Sequence, residues 1–295
     1  MENPIWTGWD VLLIAVLTLV AMLVLQLLVI WGAIWLVYPH SSLADVAQKP
    51  ILLLVSQFLL YAVVAACMVM LVEGKYHVAF WQAIRWNWPK SWATYLMAGI
   101  ALSFALQGIA HFLPIPKELP MDRFFRTPAE AWALSLFGVT FAPLLEELFF
   151  RGFLYPVLVR RFGIAIAVLA AASGFSLIYA VKLGWSRGVL LSIFIIGLAF
   201  VIRGFLDPVL ARRFGISIAV LATSAGFSLI HAPQLGRAWG PVLVIFIVGL
   251  AFTITRAVTK SVAAPLIMHV AYNSTLSILL FAGTDGFRHL ERLNQ

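Results

Sequence analysis

The stretch APLLEELFFRG, residues 142–152, decides the fold because it places Glu146, Glu147 and Arg151 inside a long apolar segment. Each ionisable side chain in the middle of a membrane span costs at least ~3 kcal/mol, so its presence indicates function. Arg151 follows Glu147 by four residues on the same helix face, where the guanidinium can hold one carboxylate ionised. The other carboxylate is then a candidate general base. The alternative is a buried ion pair that only fixes helix packing.

The composition around this stretch indicates a bilayer as the solvent. Of the 295 residues, 63% are hydrophobic and 11% are charged, too few to cover a water-soluble surface. Apolar stretches able to cross ~30 Å of hydrocarbon recur along the chain, and helices satisfy their own backbone groups there. We therefore predict an all-α fold, a polytopic transmembrane helical bundle of about nine spans. The predicted spans are residues 11–37, 51–72, 92–113, 130–159, 164–180, 188–205, 216–232, 240–257 and 261–282.

A polar, proline-bearing segment, residues 114–128, divides the chain. Residues 1–120 are predicted to form an N-terminal transmembrane anchor region, residues 121–284 a core with all the chemically interesting side chains, and residues 285–295 a polar tail. The net charge is +8, but the basic residues fall as short pairs between apolar spans. We therefore expect the lipid bilayer as a partner and no nucleic acid.

The core contains an internal repeat. Residues 151–202, the first copy, align with residues 203–254, the second copy, and 35 of the 52 aligned positions are identical. This similarity indicates tandem duplication of a two-helix unit, and an even number of spans keeps the downstream helices in their original orientation. The sequence GFSLIYA of the first copy, with Tyr179, becomes GFSLIHA in the second, with His231.

Three further polar residues fall inside predicted spans. His231 ends an apolar segment and could simply cap or pack, but removing one copy would bring it level with Glu146 across a hairpin. His269 and Asn273, four residues apart in APLIMHVAYN, point into one groove of the bundle. An interhelical hydrogen bond is the structural alternative for Asn273. Counting residues from the helix ends predicts that His269 lies ~10 Å from the level of Glu146 unless a helix is tilted or offset.

These residues resemble the motifs of the CAAX protease and bacteriocin-processing family of intramembrane peptidases, also called the Abi or type II CAAX prenyl endopeptidase family. The resemblance covers roughly residues 125–282. Its three motifs occur in order, as Glu146, Glu147 and Arg151, then Phe227 and His231, then His269 and Asn273. It implies a helical bundle around a water-accessible cavity, where a glutamate assisted by His231 activates water and His269 and Asn273 steady the oxyanion.

The sequence departs from the family at the repeat, because the first copy offers Tyr179 at the usual distance from the glutamates. Either the second copy docks on the glutamate helix and supplies His231, as we expect, or the first copy docks and activity is impaired. A zinc ion could be held by His231, His269 and Glu146, but the helical His-Glu-x-x-His signature is absent. We therefore expect no cofactor and water activated by glutamate without a metal, with zinc held by these three residues as the alternative.

The function predicted from sequence is that of an intramembrane endopeptidase. It would act on a peptide or protein substrate associated with the membrane, from a multi-pass position in the plasma membrane of a prokaryote. One alternative is a catalytically impaired binding or immunity protein of the same fold. Another is a secondary transporter with Glu146 and Glu147 as a proton relay, which is disfavoured because the repeat does not carry the carboxylates.

Overall fold

The computed structural model describes residues 3–116, 119–161 and 208–291, and the regular elements in these ranges are all helical. Six of these helices are long and apolar enough to cross a membrane. They are Gly8–Leu36, Pro50–Lys75, Trp92–Ala110, Pro128–Arg160, Trp239–Thr259 and Ala263–Gly283. Helix Pro208–His231 contributes a shorter apolar stretch, Ile216–His231. The chain is a multi-pass integral membrane protein, as its composition predicts.

Seven of the nine predicted spans fall on described residues, and each of them coincides with a helix. The spans predicted at residues 164–180 and 188–205 lie outside the described residues. The count of nine spans and the duplication therefore stay predictions. Helices Leu43–Ala47 and Phe80–Ala83 and the 3-10 turn Pro120–Phe124 lie between spans. The π-helical turn Leu71–Lys75 forms the end of the second span.

The fourth span is interrupted. Helix Pro128–Val139 stops at Thr140, and the chain continues as Phe141–Glu147, widens into a π-helical turn over Leu148–Leu154 and ends as Tyr155–Arg161. Pro143 accounts for the break, because proline has no N–H for the carbonyl four residues earlier and its ring crowds that carbonyl. π-Helical turns are rare and often occur at functional sites. We call residues 141–154 the glutamate segment.

The N-terminal residues hold the π-helical turn of the glutamate segment. Trp6 is fully buried, its ring stacks on Phe153 at 4.9 Å between centroids, and its indole N–H donates to the Phe153 carbonyl oxygen at 2.8 Å. Asp10, in the first turn of the first span, pairs with Lys75 at 2.7 Å and accepts from the Tyr76 hydroxyl at 2.6 Å. These contacts fix the first two spans beside the glutamate segment.

Helix Ala263–Gly283 packs closely on helix Trp92–Ala110. Gly99 permits this approach, because a Cβ there would collide with the carbonyl oxygen of Met268. Around this contact lies a cluster of buried apolar side chains, formed by Leu106, Phe150, Phe227, Val248, Phe252, Met268 and Tyr272. The packing brings helix Ala263–Gly283 against the glutamate segment.

Candidate active site

Glu147 and Arg151 form a fully buried ion pair. Arg151 Nη1 donates to Glu147 Oε1 at 3.0 Å, one turn away on the glutamate segment, and both side chains are 0% exposed. The other donors of Arg151 reach helix Trp239–Thr259, where Nε donates to Thr253 Oγ1 at 3.2 Å and Nη2 donates to the Gly249 carbonyl at 3.1 Å. A buried charge is tolerated when it is paired and hydrogen-bonded in this way. The pair also fixes the two elements to each other.

Aromatic rings surround the Arg151 guanidinium. Its central carbon lies 4.5 Å from the centroid of the Phe227 ring, 5.5 Å from that of Phe252 and 5.9 Å from that of Phe150. Cations are attracted to aromatic faces at these distances. Phe227, the first residue of the Phe-x-x-x-His motif, therefore supports the arginine of the first motif.

Glu146 is the carboxylate that faces the two histidines. Its Oε1 lies 3.7 Å from His231 Nε2 and its Oε2 lies 3.8 Å from His269 Nε2. Both distances are longer than a direct hydrogen bond, so Glu146 lies beside both imidazoles without a short bond to either. The Glu146 side chain is 11% exposed, whereas that of Glu147 is 0% exposed. The structure thus gives the two neighbouring carboxylates different surroundings.

The other ring nitrogen of each histidine orients its ring. His231 Nδ1 lies 2.7 Å from the Phe227 carbonyl oxygen, and His269 Nδ1 lies 2.9 Å from Glu147 Oε1. A carbonyl or an ionised carboxylate can only accept, so Nδ1 carries the proton in both rings. Each histidine therefore presents its Nε2 to Glu146.

His269 corrects one expectation from the sequence. Residue counting predicted that it would lie ~10 Å from the level of Glu146, but the two side chains face each other at 3.8 Å. The count assumed a straight fourth span. The π-helical turn Leu148–Leu154 lies between Glu146 and the end of that span, so residue number does not convert to depth at about 1.5 Å per residue there.

Asn273 has a contact that bridges two spans. Its Nδ2 donates to the Gly138 carbonyl oxygen at 2.7 Å, near the end of helix Pro128–Val139. This is the interhelical hydrogen bond that the sequence offered as the structural alternative. The bond uses one of the two amide hydrogens, so the second is left for another acceptor.

Sequence reasoning missed two residues of the site. Tyr61, on helix Pro50–Met70, lies near Glu146, and its ring stacks on that of Phe137 at 5.5 Å between centroids. Arg256 is fully buried and its Nε donates to the Arg151 carbonyl oxygen at 3.1 Å. Arg256 had a usable signal, an arginine inside an apolar span. Tyr61 had none, because a tyrosine in an apolar helix is ordinary.

The two histidines face different oxygens of the Glu146 carboxylate. His231 faces Oε1 of Glu146 and His269 faces Oε2. Among residues 3–116, 119–161 and 208–291, no group of three or more His, Cys, Asp or Glu side chains is arranged to hold a metal ion. The geometry gives no specific support to the zinc site considered from sequence.

A carboxylate flanked by two oriented imidazoles, inside a multi-pass helical bundle, has the groups needed to activate water. The family model described as type II CAAX prenyl endopeptidase Rce1-like matches the chain over residues 128–202 and 199–275. The chain belongs to this family, which confirms the resemblance seen in its three motifs. No curated protein and no solved structure matches the chain.

Proposed function

We propose that the protein is an intramembrane endopeptidase in which Glu146 activates the attacking water. The observation that carries this proposal is the different pairing of the two carboxylates. Glu147 is bonded to Arg151 and His269 at 3.0 and 2.9 Å, whereas Glu146 faces two histidine nitrogens across gaps of 3.7 and 3.8 Å. Glu146 makes no short bond to either histidine, so it is the carboxylate left to bind a water molecule and accept its proton.

In the proposed reaction, Glu146 takes a proton from water as the water oxygen bonds to the peptide carbonyl carbon. His231, held by the Phe227 carbonyl, orients this water through Nε2. The carbonyl oxygen becomes an oxyanion, and the C–N bond then breaks as the proton on Glu146 passes to the leaving amine. Water and one peptide bond thus yield a carboxylic acid and an amine.

The oxyanion needs donors on the opposite side of the carbonyl from the water. His269 donates Nδ1–H to Glu147, and in its doubly protonated form it also offers Nε2–H to the oxyanion. The Glu147 carboxylate, which also binds Arg151, orients the His269 ring by accepting from its Nδ1–H. Asn273, one turn after His269, offers its second amide hydrogen. Donors that are aimed in advance at developing charge are among the largest catalytic contributions.

The substrate class is proposed from the family. The family description names a CAAX prenyl endopeptidase. We therefore propose a membrane-associated substrate that ends in a prenylated cysteine followed by three residues. We further propose the plasma membrane of a prokaryote as the location. A farnesylated peptide ending in this pattern is the first substrate to test.

Two alternatives predict no cleavage. A catalytically impaired binding protein would keep the bundle without turnover, and it is disfavoured because His231, not a tyrosine, faces Glu146. A transporter would use Glu146 and Glu147 as a proton relay, and it is disfavoured because Glu147 is bonded to Arg151 within the same segment. Cleavage of any peptide by the purified protein would exclude the first alternative and argue strongly against the second.

The test of the mechanism is Glu146→Gln, measured on a farnesylated peptide in detergent micelles. Glutamine keeps the shape of the side chain but cannot accept the proton, so we expect kcat to fall by at least ~1,000-fold with an unchanged melting temperature. The matched control is Glu130→Gln. Glu130 lies on the same span and accepts from the Thr127 N–H at 3.1 Å, a capping role that glutamine also fills. Full activity of Glu146→Gln would contradict the mechanism.

A further inference from the structure

A cavity of about 420 Å³ lies between the two N-terminal spans and the turn that follows His231. Its walls come from helices Gly8–Leu36 and Pro50–Met70, from the 3-10 turn Pro120–Phe124, and from Pro233 and Gln234. The volume is within the range of ~300–1,000 Å³ that is usual for ligand sites. The cavity has room for a short chain segment.

Glutamine side chains give this cavity its polar character. Gln26 and Gln57 are half-buried and lie on helices that are otherwise mostly apolar, and Gln234 lies at the rim. A polar side chain in a membrane span is costly unless it finds a partner. A primary amide both donates and accepts, as does each peptide unit of an extended chain. The lining therefore suits a peptide backbone better than a hydrocarbon chain or an ion.

Both walls of the cavity lead to the reacting groups. On one wall, Tyr61 follows Gln57 by one helical turn, and the same helix packs on the glutamate segment, where the Phe58 and Phe141 ring centroids are 4.9 Å apart. On the other wall, the backbone N–H of Gln234 donates to the His231 carbonyl oxygen at 3.1 Å. On both walls, the residues that line the cavity thus lie about one turn of chain from residues beside the site.

We propose that this cavity binds the segment of the substrate next to the scissile bond in extended conformation. Gln26 and Gln57 hydrogen-bond to its backbone, and Tyr61 lies at the inner end beside Glu146. This inference rests on the proposed peptidase function and assigns substrate binding to the N-terminal spans. Those spans precede the family match, which begins at residue 128, whereas Pro233 and Gln234 lie within it, so the cavity lies between this chain's N-terminal region and the matched region.

The kinetic test uses Gln26→Leu and Gln57→Leu with a farnesylated peptide ending in Cys-aliphatic-aliphatic-X as the probe. Each variant loses one or two hydrogen bonds to the peptide backbone, so we expect KM to rise by about 3- to 10-fold. The value of kcat should stay within about 2-fold, because neither residue touches Glu146. The matched control is Gln107→Leu, since the Gln107 amide bonds to the Ser103 carbonyl of its own helix at 3.3 Å. A KM as unaffected as that of the control would overturn the inference.

A binding test separates this inference from the proposed chemistry. The background protein carries Glu146→Gln, which makes it inactive, and Cys67→Ala, which removes the native cysteine. The test variant adds Leu53→Cys in the cavity wall. The control variant instead adds Leu27→Cys, at a residue that is 67% exposed on the outer face of the first span. A probe peptide with an activated disulfide near its cleavage site should cross-link to the cavity cysteine at least 10-fold faster. Equal rates would overturn the cavity assignment even if the parent cleaves the peptide. Selective cross-linking without cleavage by the parent would support the cavity and contradict the proposed function.

Discussion

The two copies of the repeat have identical residues at the positions that pack beside Arg151 in the second copy. They differ at the positions that bring polar groups to the site in the second copy. Phe227 and Gly249 of the second copy, which pack beside Arg151, are matched by Phe175 and Gly197 in the first. His231, which faces Glu146, is matched by Tyr179.

The hydroxyl groups follow the same pattern. Thr253, which accepts from Arg151 Nε, is matched by Val201, and Ser224, which donates to Thr253 Oγ1 at 3.4 Å, is matched by Ala172. The second copy thus carries the polar partners of the site, and the first copy has an apolar residue or a tyrosine at each of these three positions. We therefore expect the second copy, and not the first, to supply the groups that take part in the chemistry.

The largest effect is expected when the second copy is given the first copy's residue in His231→Tyr. Tyrosine is a poor base at neutral pH and removes the imidazole beside Glu146, so we predict a fall in kcat of ~100- to 1,000-fold. The melting temperature in detergent should change little. The matched control is the reverse change in the first copy, Tyr179→His, which should leave kcat unchanged. A rise in kcat in the control instead would show that the first copy supplies the site.

A smaller effect is expected for Thr253→Val, which also imports the first copy's residue. The change leaves Arg151 Nε, a fully buried donor, without its acceptor, so we predict a loss of ~1–3 kcal/mol in the free energy of unfolding. Thermal unfolding in detergent measures it. The matched control is Thr255→Val on the same helix, where the hydroxyl bonds only to its own helix and to Met268. Equal destabilisation by both variants would show that the contact with Arg151 contributes nothing specific.

The smallest effect is expected from metal removal. The second copy has a histidine at the site where the first has a tyrosine. Chelation distinguishes zinc binding by this histidine from orientation of the attacking water. Because His231 and His269 face different oxygens of Glu146, we predict that prolonged treatment with a zinc chelator leaves the cleavage rate within about 2-fold. If the chelator lowers the cleavage rate and added zinc restores it, the histidines bind a metal. That result would contradict water activation by glutamate without a metal.

Much of the fold was predictable because a long apolar stretch has few structural options in a bilayer. The pairing of Glu147 with Arg151 was predictable for a related reason, since charges inside a span must find partners. The position of His269 was not, because a π-helical turn follows Glu147 and changes the rise per residue between Glu146 and the end of its helix. The role of Gln57 as a cavity residue was also not predictable, because it depends on which helices become neighbours.

Two deletions of equal length test most directly whether the second copy completes the site. Deleting residues 179–230 joins Ile178 to His231, and deleting residues 180–231 joins Tyr179 to Ala232. Both variants lack Ser224 and restore the single-copy spacing, so they differ only in whether histidine or tyrosine lies opposite Glu146. We predict that both fold, that the histidine variant cleaves the farnesylated peptide at least as fast as the parent, and that the tyrosine variant is inactive. Equal cleavage by both shortened proteins would show that His231 is not the partner of Glu146.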